Sequence, residues 1–512
     1  MQDGSDTVTG RIFSARAEKR PLELDCDVVV VGSGAGGAAV ACTLAEAGQK
    51  VIVLEEGPHV PAEKYQAFRP SETMRTMWRD GAVTAVLGRG DTPMINLTMG
   101  RCVGGSSVLT GGVCFRVPGR VLRTWQTERG LEDLSEEALA PCFEDVERSV
   151  HVERVPENMR SRSTSLFALG AERRGFHMEA MSRNTRGCQG CGRCNFGCPK
   201  DAKMSVDRTY LPRAVAAGAL VVSDCLVRKV LMRGRRAVGV VGDVQGEVGG
   251  SVRVRARLVV LAAGSFHTPG VLARSGLGRE SGQLGRNVTL HPGFRMIARF
   301  REPVHGWQGS LQSVYSEAFE AQGITLTGLF VPPGVLAATI AGFGPEHARR
   351  SLDLTHMAVI GGMLHDEGGG TIHSPPWMAP FMTYRMDPRN RATVPFFLRM
   401  MAETFFAAGA LEVFAPVFGA PPMDADAFAR FDFESVPSSK LECSSQHPLG
   451  SCRMGIAPGN SVTDSYGAVW DVDGLYVADG SLVPTSLGVN PQLTIMALAT
   501  RVAWRLRDLP AA

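Results

Sequence analysis

The chain has 512 residues, 44% of them hydrophobic and 21% charged, with a formal net charge of +3. That length exceeds what one small core needs and fits two interleaved domains. The balance excludes a disordered chain and gives no basic field for nucleic acid, so the expected partners are small molecules.

The first 25 residues are polar and mixed in charge, with no apolar core for a secretory leader and no twin-arginine pair, so the expected location is the cytoplasm. Residues Cys26 to Val31 follow as a short β-branched run, the pattern of a buried parallel strand. Gly32, Gly34 and Gly37 then give the G-x-G-x-x-G spacing ahead of a helix expected over Ala38 to Ala47. The first glycine permits a tight turn, the second a close backbone approach to pyrophosphate, and the third close packing of helix on strand. A second strand, Val51 to Leu54, ends at Glu55, where a carboxylate can accept hydrogen bonds from ribose hydroxyls. These residues predict a dinucleotide site and leave FAD or NAD open.

Further along, Gly100-Arg101-Cys102-Val103-Gly104-Gly105-Ser106-Ser107 is a glycine-serine loop suited to an anion or a ring edge. The apolar strand Leu258 to Ala262 leads into Gly264-Ser265-Phe266-His267-Thr268-Pro269-Gly270 and on to Gly278. Phe396 to Phe418 is strongly apolar but interrupted by Arg399, Glu403 and Glu412, so it reads as an interior or interface helix and not as a membrane span. Near the C-terminus stand Ser445-Gln446-His447-Pro448-Leu449-Gly450, then Asp479-Gly480-Ser481, then Gly488-Val489-Asn490-Pro491-Gln492-Leu493-Thr494 opening a helix. Asn490 also stands where Asn commonly caps a helix.

In this order the segments resemble the glucose-methanol-choline (GMC) FAD-dependent oxidoreductases across almost the whole chain, with the long-chain alcohol oxidase and cholesterol oxidase-like branch nearest. The resemblance implies FAD and a loop, residues 100–112, that embraces the flavin. Gly32, Gly34, Gly37, Glu55, Gly104, Gly105, Ser106, Ser107, Val227, Asp479, Gly480, Pro491 and Thr494 are thereby implied in holding the cofactor. It also implies His447 as the base for a substrate hydroxyl and Asn490 as the group that positions the oxygen, matching what hydride transfer from an alcohol needs. The family often has Asn three residues after the serine pair, whereas this chain has Thr110. His291, before Pro292, is read as structural, and His365 and His373 are too isolated to suggest a metal.

Four of the twelve cysteines crowd together as Cys188-x-x-Cys191-x-x-Cys194-x-x-x-Cys198-Pro199, a ferredoxin-like spacing without a second set of four. A metal-free structural loop is the favoured reading, because Gly187, Gly190, Gly192 and Gly197 suit a tight loop and the continuation resembles the long-chain alcohol oxidase branch. An iron-sulfur cluster comes second and zinc third.

The expected fold class is α/β: a Rossmann-like FAD-binding domain, with a βαβ unit and parallel sheet, and an interleaved α+β substrate (cap) domain. The expected division gives FAD binding to residues 22–125, 216–292 and 444–512. The cap takes 126–215, with the cysteine loop 188–198, and 293–443. The expected function is oxidation of a hydrophobic primary or secondary alcohol to an aldehyde or ketone, with oxygen or another acceptor taking the electrons. Two alternatives stand beside it: a cluster-assisted dehydrogenase of a sugar or polyol, and a flavin lyase with no net redox chemistry.

Overall fold

Valines at 28 to 31, at most 4% exposed, form the centre of the first sheet. The computed structural model describes residues 10–18, 20–246, 250–340 and 342–510. Residues 1–9, part of the polar N-terminal stretch from which a cytoplasmic location is expected, lie outside the described residues.

In the first sheet the strands run in the order Arg11–Ser14, Leu220–Ser223, Val51–Leu54, Leu22–Val31, Ser251–Leu261, Arg236–Val244 and Cys225–Arg233, with Leu475–Val477 also on Ser251–Leu261. Pairing is parallel except for the last two strands in that order, which form an antiparallel flap. Val28 faces Val51 on one side and Leu258 on the other, so β-branched side chains fill both faces of a buried strand. The helix Ala35–Glu46 follows, three residues earlier than expected, and its small residues let it lie close to the sheet. A Cβ on Gly37 would meet Gly32 O at 2.0 Å, and one on Gly36 would meet Ala478 O at 1.9 Å. The C-terminal helix Gln492–Arg507 packs along Ala35–Glu46 within the same core.

The second sheet orders Gly369–His373, Phe381–Arg385, Thr84–Gly88, Ile95–Leu97, Cys443–Ser445, Gly293–Arg299, Met357–Leu364, Ile324–Leu329, Gln312–Ser316 and Glu179–Ala180. Its core is closed by the helix Pro388–Ala407, whose Phe397 and Phe405 are fully buried. Asp387 caps this helix through Arg389 N–H, and Pro388 sits in its first turn, where no backbone donor is needed. The apolar stretch 396–418 is therefore not one helix. The helix stops at Ala407, Gly409 turns at φ 98°, and Glu412–Phe414 joins the sheet beside Gly293–Arg299.

Long-range pairing redraws the expected division at three places. Thr84–Gly88 and Ile95–Leu97, inside 22–125, belong to the second sheet. Cys443–Ser445 straddles the 443/444 boundary and pairs with Ile95–Leu97 in that same sheet. The helix Glu136–Ser149, inside 126–215, puts Leu139, Phe143 and Val146 into the core of the first sheet. Hydrogen-bond partners of a short strand are set by distant segments, so its own sequence does not reveal them. No helix among the described residues is long and apolar enough to cross a membrane.

Candidate active site

The parallel strands of the first sheet end at a cavity of about 470 Å³ that continues beneath the second sheet. Gly32, at φ 101°, makes the turn out of the first strand, and a side chain there would meet Ala262 O at 2.2 Å. Gly34 lines the cavity, and a Cβ on it would meet nothing closer than Gly105 Cα at 4.0 Å. Glu55 stands at the end of the second strand, 7% exposed. Its carboxylate accepts Ser33 N–H at 3.0 Å, Ser33 Oγ–H at 2.7 Å and Gly57 N–H at 2.8 Å. Burial raises its pKa and these donors oppose the rise.

Asp479 joins two distant segments. Its Oδ2 accepts Gly264 N–H at 2.9 Å and Thr268 Oγ–H at 2.5 Å, and its Oδ1 accepts Ser481 N–H at 2.8 Å. Ser265 Oγ, His267 Nε2, Asn490 Oδ1 and Gln492 Nε2 belong to residues lining the cavity, and these buried atoms have no protein partner. Buried polar atoms of that kind call for a bound molecule or water. Burial pushes His267 down to about 3, so its ring is neutral.

His447 follows the strand Cys443–Ser445, and Asn490 immediately precedes the turn into Gln492–Arg507. Their side chains meet, with Asn490 Nδ2 3.2 Å from His447 Nε2. Asn490 makes no capping bond to the helix, whose cap position is Pro491. The other face of His447 meets His291, with the two Nδ1 atoms 3.0 Å apart. His291 Nε2 accepts the N–H groups of Leu487 at 3.2 Å and Gly488 at 3.0 Å. With that lone pair occupied, neutral His291 carries its hydrogen on Nδ1 and donates it to His447. Neutral His447 then carries its own hydrogen on Nε2, towards Asn490. Exchanging the two ends of the amide gives this hydrogen an acceptor in Oδ1, which otherwise lacks a partner. Burial pushes His447 down to about 4, and burial with the neighbouring His447 holds His291 well below its ordinary value.

Comparison with known proteins gives this geometry its family. The GMC oxidoreductase models match residues 26–293 and 370–499. The chain belongs to the GMC oxidoreductases. It is 37% identical to an uncharacterized GMC-type oxidoreductase of Mycobacterium tuberculosis, over 94% of this chain and 76% of that one. A long-chain-alcohol oxidase of Arabidopsis thaliana is 29% identical over 94% of this chain and 67% of its own length. Pyridoxine 4-oxidase of Mesorhizobium loti shares the fold with a TM-score of 0.72 at 18% identity, covering 95% of this chain and all of that one. As a GMC oxidoreductase the chain is an FAD-dependent enzyme acting on CH–OH donors.

The cavity gathers most of the residues expected at the cofactor: Gly32, Gly34 and Glu55 from the first unit, Gly105, Ser106 and Ser107 from the glycine-serine loop. Val227, Asp479, Gly480 and Pro491 line it as well, together with His447 and Asn490. Three expected residues do not reach the lining. Gly37 packs helix on strand, and Gly104 at φ 92° donates its N–H to Ser33 Oγ at 3.0 Å from behind the loop. Thr494 is fully buried, because Pro491, Gln492 and Ile495 take the exposed helix face and turn it towards the core. Thr110, where the family often has Asn, lines the cavity and donates to Gln492 Oε1 at 3.0 Å.

Several lining groups are not evident from the sequence. Glu56 pairs with Arg79 and, at 3.2 Å, with Arg101, and those cations hold it below the usual carboxylate range despite its burial. Its one sequence signal is its place directly after Glu55. His291, expected to be structural, touches His447; the His-Pro pair was the available signal. The cysteine loop contributes Asn195 to the lining. Its four thiols are free, with Cys188 and Cys191 half-buried and Cys194 and Cys198 buried. Among the described residues no group of three or more His, Cys, Asp or Glu side chains is arranged to hold a metal ion.

Proposed function

We propose that the chain oxidises a hydrophobic primary or secondary alcohol to an aldehyde or ketone, with His447 taking the hydroxyl proton and Asn490 holding the oxygen. The observation that carries this reading is the His447–Asn490 contact at 3.2 Å in a cavity whose other lining includes Met99, Phe294, Leu311, Leu329, Phe330 and Met363. A proton acceptor and a neutral amide within reach of one oxygen meet the needs of alcohol oxidation, and the apolar wall favours a hydrophobic chain. The similarity to a long-chain-alcohol oxidase supports the same substrate class and oxygen as the electron acceptor.

Bound FAD supplies the hydride acceptor at its N5. The cavity residues of the first sheet and of the glycine-serine loop would hold the dinucleotide, with Glu55 suited to ribose hydroxyls and the Asp479–Gly480 turn lining the same cavity. The second sheet supplies the substrate wall. His447 offers a lone pair at Nε2 when the hydrogen between the rings moves onto His447 Nδ1. His291 must then carry its hydrogen on Nε2, against the N–H groups of Leu487 and Gly488. Each displaced backbone donor costs about 1–3 kcal/mol, so the accepting tautomer is a minor one and the site is a weak base. Low basicity keeps the ring neutral well into mild acid, and the minor accepting tautomer is drawn from that neutral population.

The test is anaerobic mixing of the FAD-loaded protein with long-chain, aromatic, sterol and sugar alcohols, followed by steady-state assays with oxygen and a dye acceptor in parallel. The expected result is bleaching of the flavin absorbance by long-chain or aromatic alcohols, with peroxide formed under oxygen. The proposal fails if no alcohol bleaches the flavin, or if a substrate is cleaved while the flavin stays oxidised, the behaviour of a lyase.

A further inference from the structure

The turn that leads into Asn490 is tied to a distant part of the chain as well as to His291. Thr485 Oγ1 accepts Trp125 Nε1–H at 2.7 Å, and Trp125 is fully buried on the helix Gly119–Arg129. Arg120, near the start of the same helix, brings Nη2 to 3.0 Å from His365 Nδ1, while its Nε donates to Glu320 at 2.6 Å on the exposed side. His365 Nε2 stands 2.7 Å from Thr325 Oγ1, and that hydroxyl reaches Gly488 O at 3.1 Å. Arg120, His365, Thr325 and Gly488 thus form one chain of hydrogen bonds from an exposed ion pair to the turn.

The direction of every bond in this chain follows from the groups present. A guanidinium has no acceptor, so Arg120 donates and His365 Nδ1 accepts. Burial and the neighbouring Arg120 push His365 down to about 4, so at neutral pH its ring is uncharged and carries its one hydrogen on Nε2. That hydrogen goes to Thr325 Oγ1, which leaves the hydroxyl hydrogen for Gly488 O. The backbone fixes His365 too: its N–H donates to Gly323 O at 2.8 Å, and the preceding Leu364 N–H donates to Pro292 O at 2.9 Å, next to His291.

Gly488 is where the chain meets the candidate active site. Its N–H donates to His291 Nε2 at 3.0 Å, and its carbonyl takes the Thr325 hydroxyl. The position admits no side chain: φ is 72°, and a Cβ would stand 2.7 Å from Arg120 Nη2 and from His365 Nδ1. A proton cannot pass along this route, because the N–H and C=O of Gly488 belong to different peptide groups. The connection is mechanical.

We propose, on the reading of His447 and Asn490 as the pair that handles the alcohol, that Thr325 and His365, anchored by Arg120, are positioning residues for the reaction. They fix the Gly488 peptide groups, and with them one of the two donors that set the His291 tautomer and the turn that presents Asn490 to His447. Without the Thr325 hydroxyl, Gly488 O is a buried acceptor with no donor. The turn then rotates, which glycine resists little, and its N–H moves away from His291 Nε2 while Asn490 moves off the oxygen it holds.

The experiment compares FAD-loaded wild type with Thr325→Val, Thr325→Ser and Arg120→Met, each carrying nitrogen-labelled histidine. Thr325→Val keeps the shape of the side chain and loses the hydroxyl. In it the acceptor nitrogen of His291 should move towards the resonance of an unbonded imidazole nitrogen, and kcat for the best alcohol should fall roughly 10- to 100-fold with KM changed less than about threefold. Thr325→Ser retains the donor and should stay close to wild type in both readouts. Arg120→Met, made at the exposed end, should move the His291 resonance in the same direction, and it decides the matter if Thr325→Val does not fold. An unmoved His291 resonance in these two variants, an unchanged kcat, or a loss in Thr325→Ser as large as in Thr325→Val overturns the proposal, the last because it would mark a packing role alone. The nitrogen resonance needs no turnover, so it tests the hold on His291 even if no alcohol proves to be a substrate, and failure of the two readings is told apart.

Discussion

Replacing His291 by Ala tests how the site keeps His447 neutral. In the wild type, burial pushes His447 down to about 4. Against an ordinary histidine near 6.5 that is a difference of about 3.4 kcal/mol between the two protonation states. The sign follows directly: lowering pH protonates His447, the imidazolium cannot take the hydroxyl proton, and activity falls as pH drops through the pKa. At about pH 5 roughly nine-tenths of wild-type molecules keep a neutral His447, so kcat/KM stays near its neutral value. The His291 ring, 2% exposed, both excludes water from this face and presents a donor hydrogen that a second N–H on His447 Nδ1 would oppose. Alanine admits water in its place, able to accept from Nδ1, and the acid limb moves up towards 6.5. At about pH 5 the variant should then show kcat/KM roughly 30-fold below its own value at about pH 8. His291→Gln, which keeps an acceptor for the Leu487 and Gly488 N–H groups and a donor for His447, should leave the limb low. The assay is kcat/KM against pH at constant ionic strength, with enzyme diluted from neutral buffer immediately before mixing. A wild-type limb between about pH 6 and 7, or one unmoved in His291→Ala, refutes the reasoning.

Three further outcomes follow from the same contacts. Nitrogen NMR of histidine-labelled protein at neutral pH should find His291 with its hydrogen on Nδ1 and His447 with its hydrogen on Nε2; the reverse assignment would mean that the two backbone donors do not set the tautomer. His447→Ala should retain FAD, by its visible spectrum after gel filtration, and lose about 10²–10⁴ in kcat for the best alcohol. Glu55→Gln turns one carboxylate oxygen into a donor facing Ser33 or Gly57 N–H. At about 1–3 kcal/mol for each mismatched bond, FAD affinity in reconstitution of the apoprotein should fall roughly 5- to 150-fold.

Legibility in the sequence followed contiguity. Gly32, Gly34 and Glu55 could be read because a strand, a turn and a helix deliver them in fixed order, and the turn conformation demands glycine at 32. Asp479 and Gly480 were legible as a motif, but the partners of Asp479, Gly264 and Thr268, lie more than two hundred residues earlier and are joined to it only by the pairing of Ser251–Leu261 with Leu475–Val477. His291 and His447 are 156 residues apart, brought together by the neighbouring strands Gly293–Arg299 and Cys443–Ser445. Thr494 failed for a different reason: the motif is linear, whereas a helix shows only about one face to a cavity, and its phase was not fixed by the motif.

Burial disfavours charge at both His447 and Lys203, and the outcome differs with the groups each one meets. His447 gets no stabilised charge: its neighbours are a donor hydrogen from His291 and a neutral amide, so desolvation alone sets its pKa and drives it to the uncharged form. Lys203 is buried as well, but its ammonium meets acceptors, the carbonyl oxygens of Val108 at 2.6 Å, Thr110 at 2.9 Å and Cys194 at 2.8 Å. The first arrangement preserves a proton acceptor, the second a buried cation. Burial still draws Lys203 down to about 8, against the pull of those carbonyl oxygens.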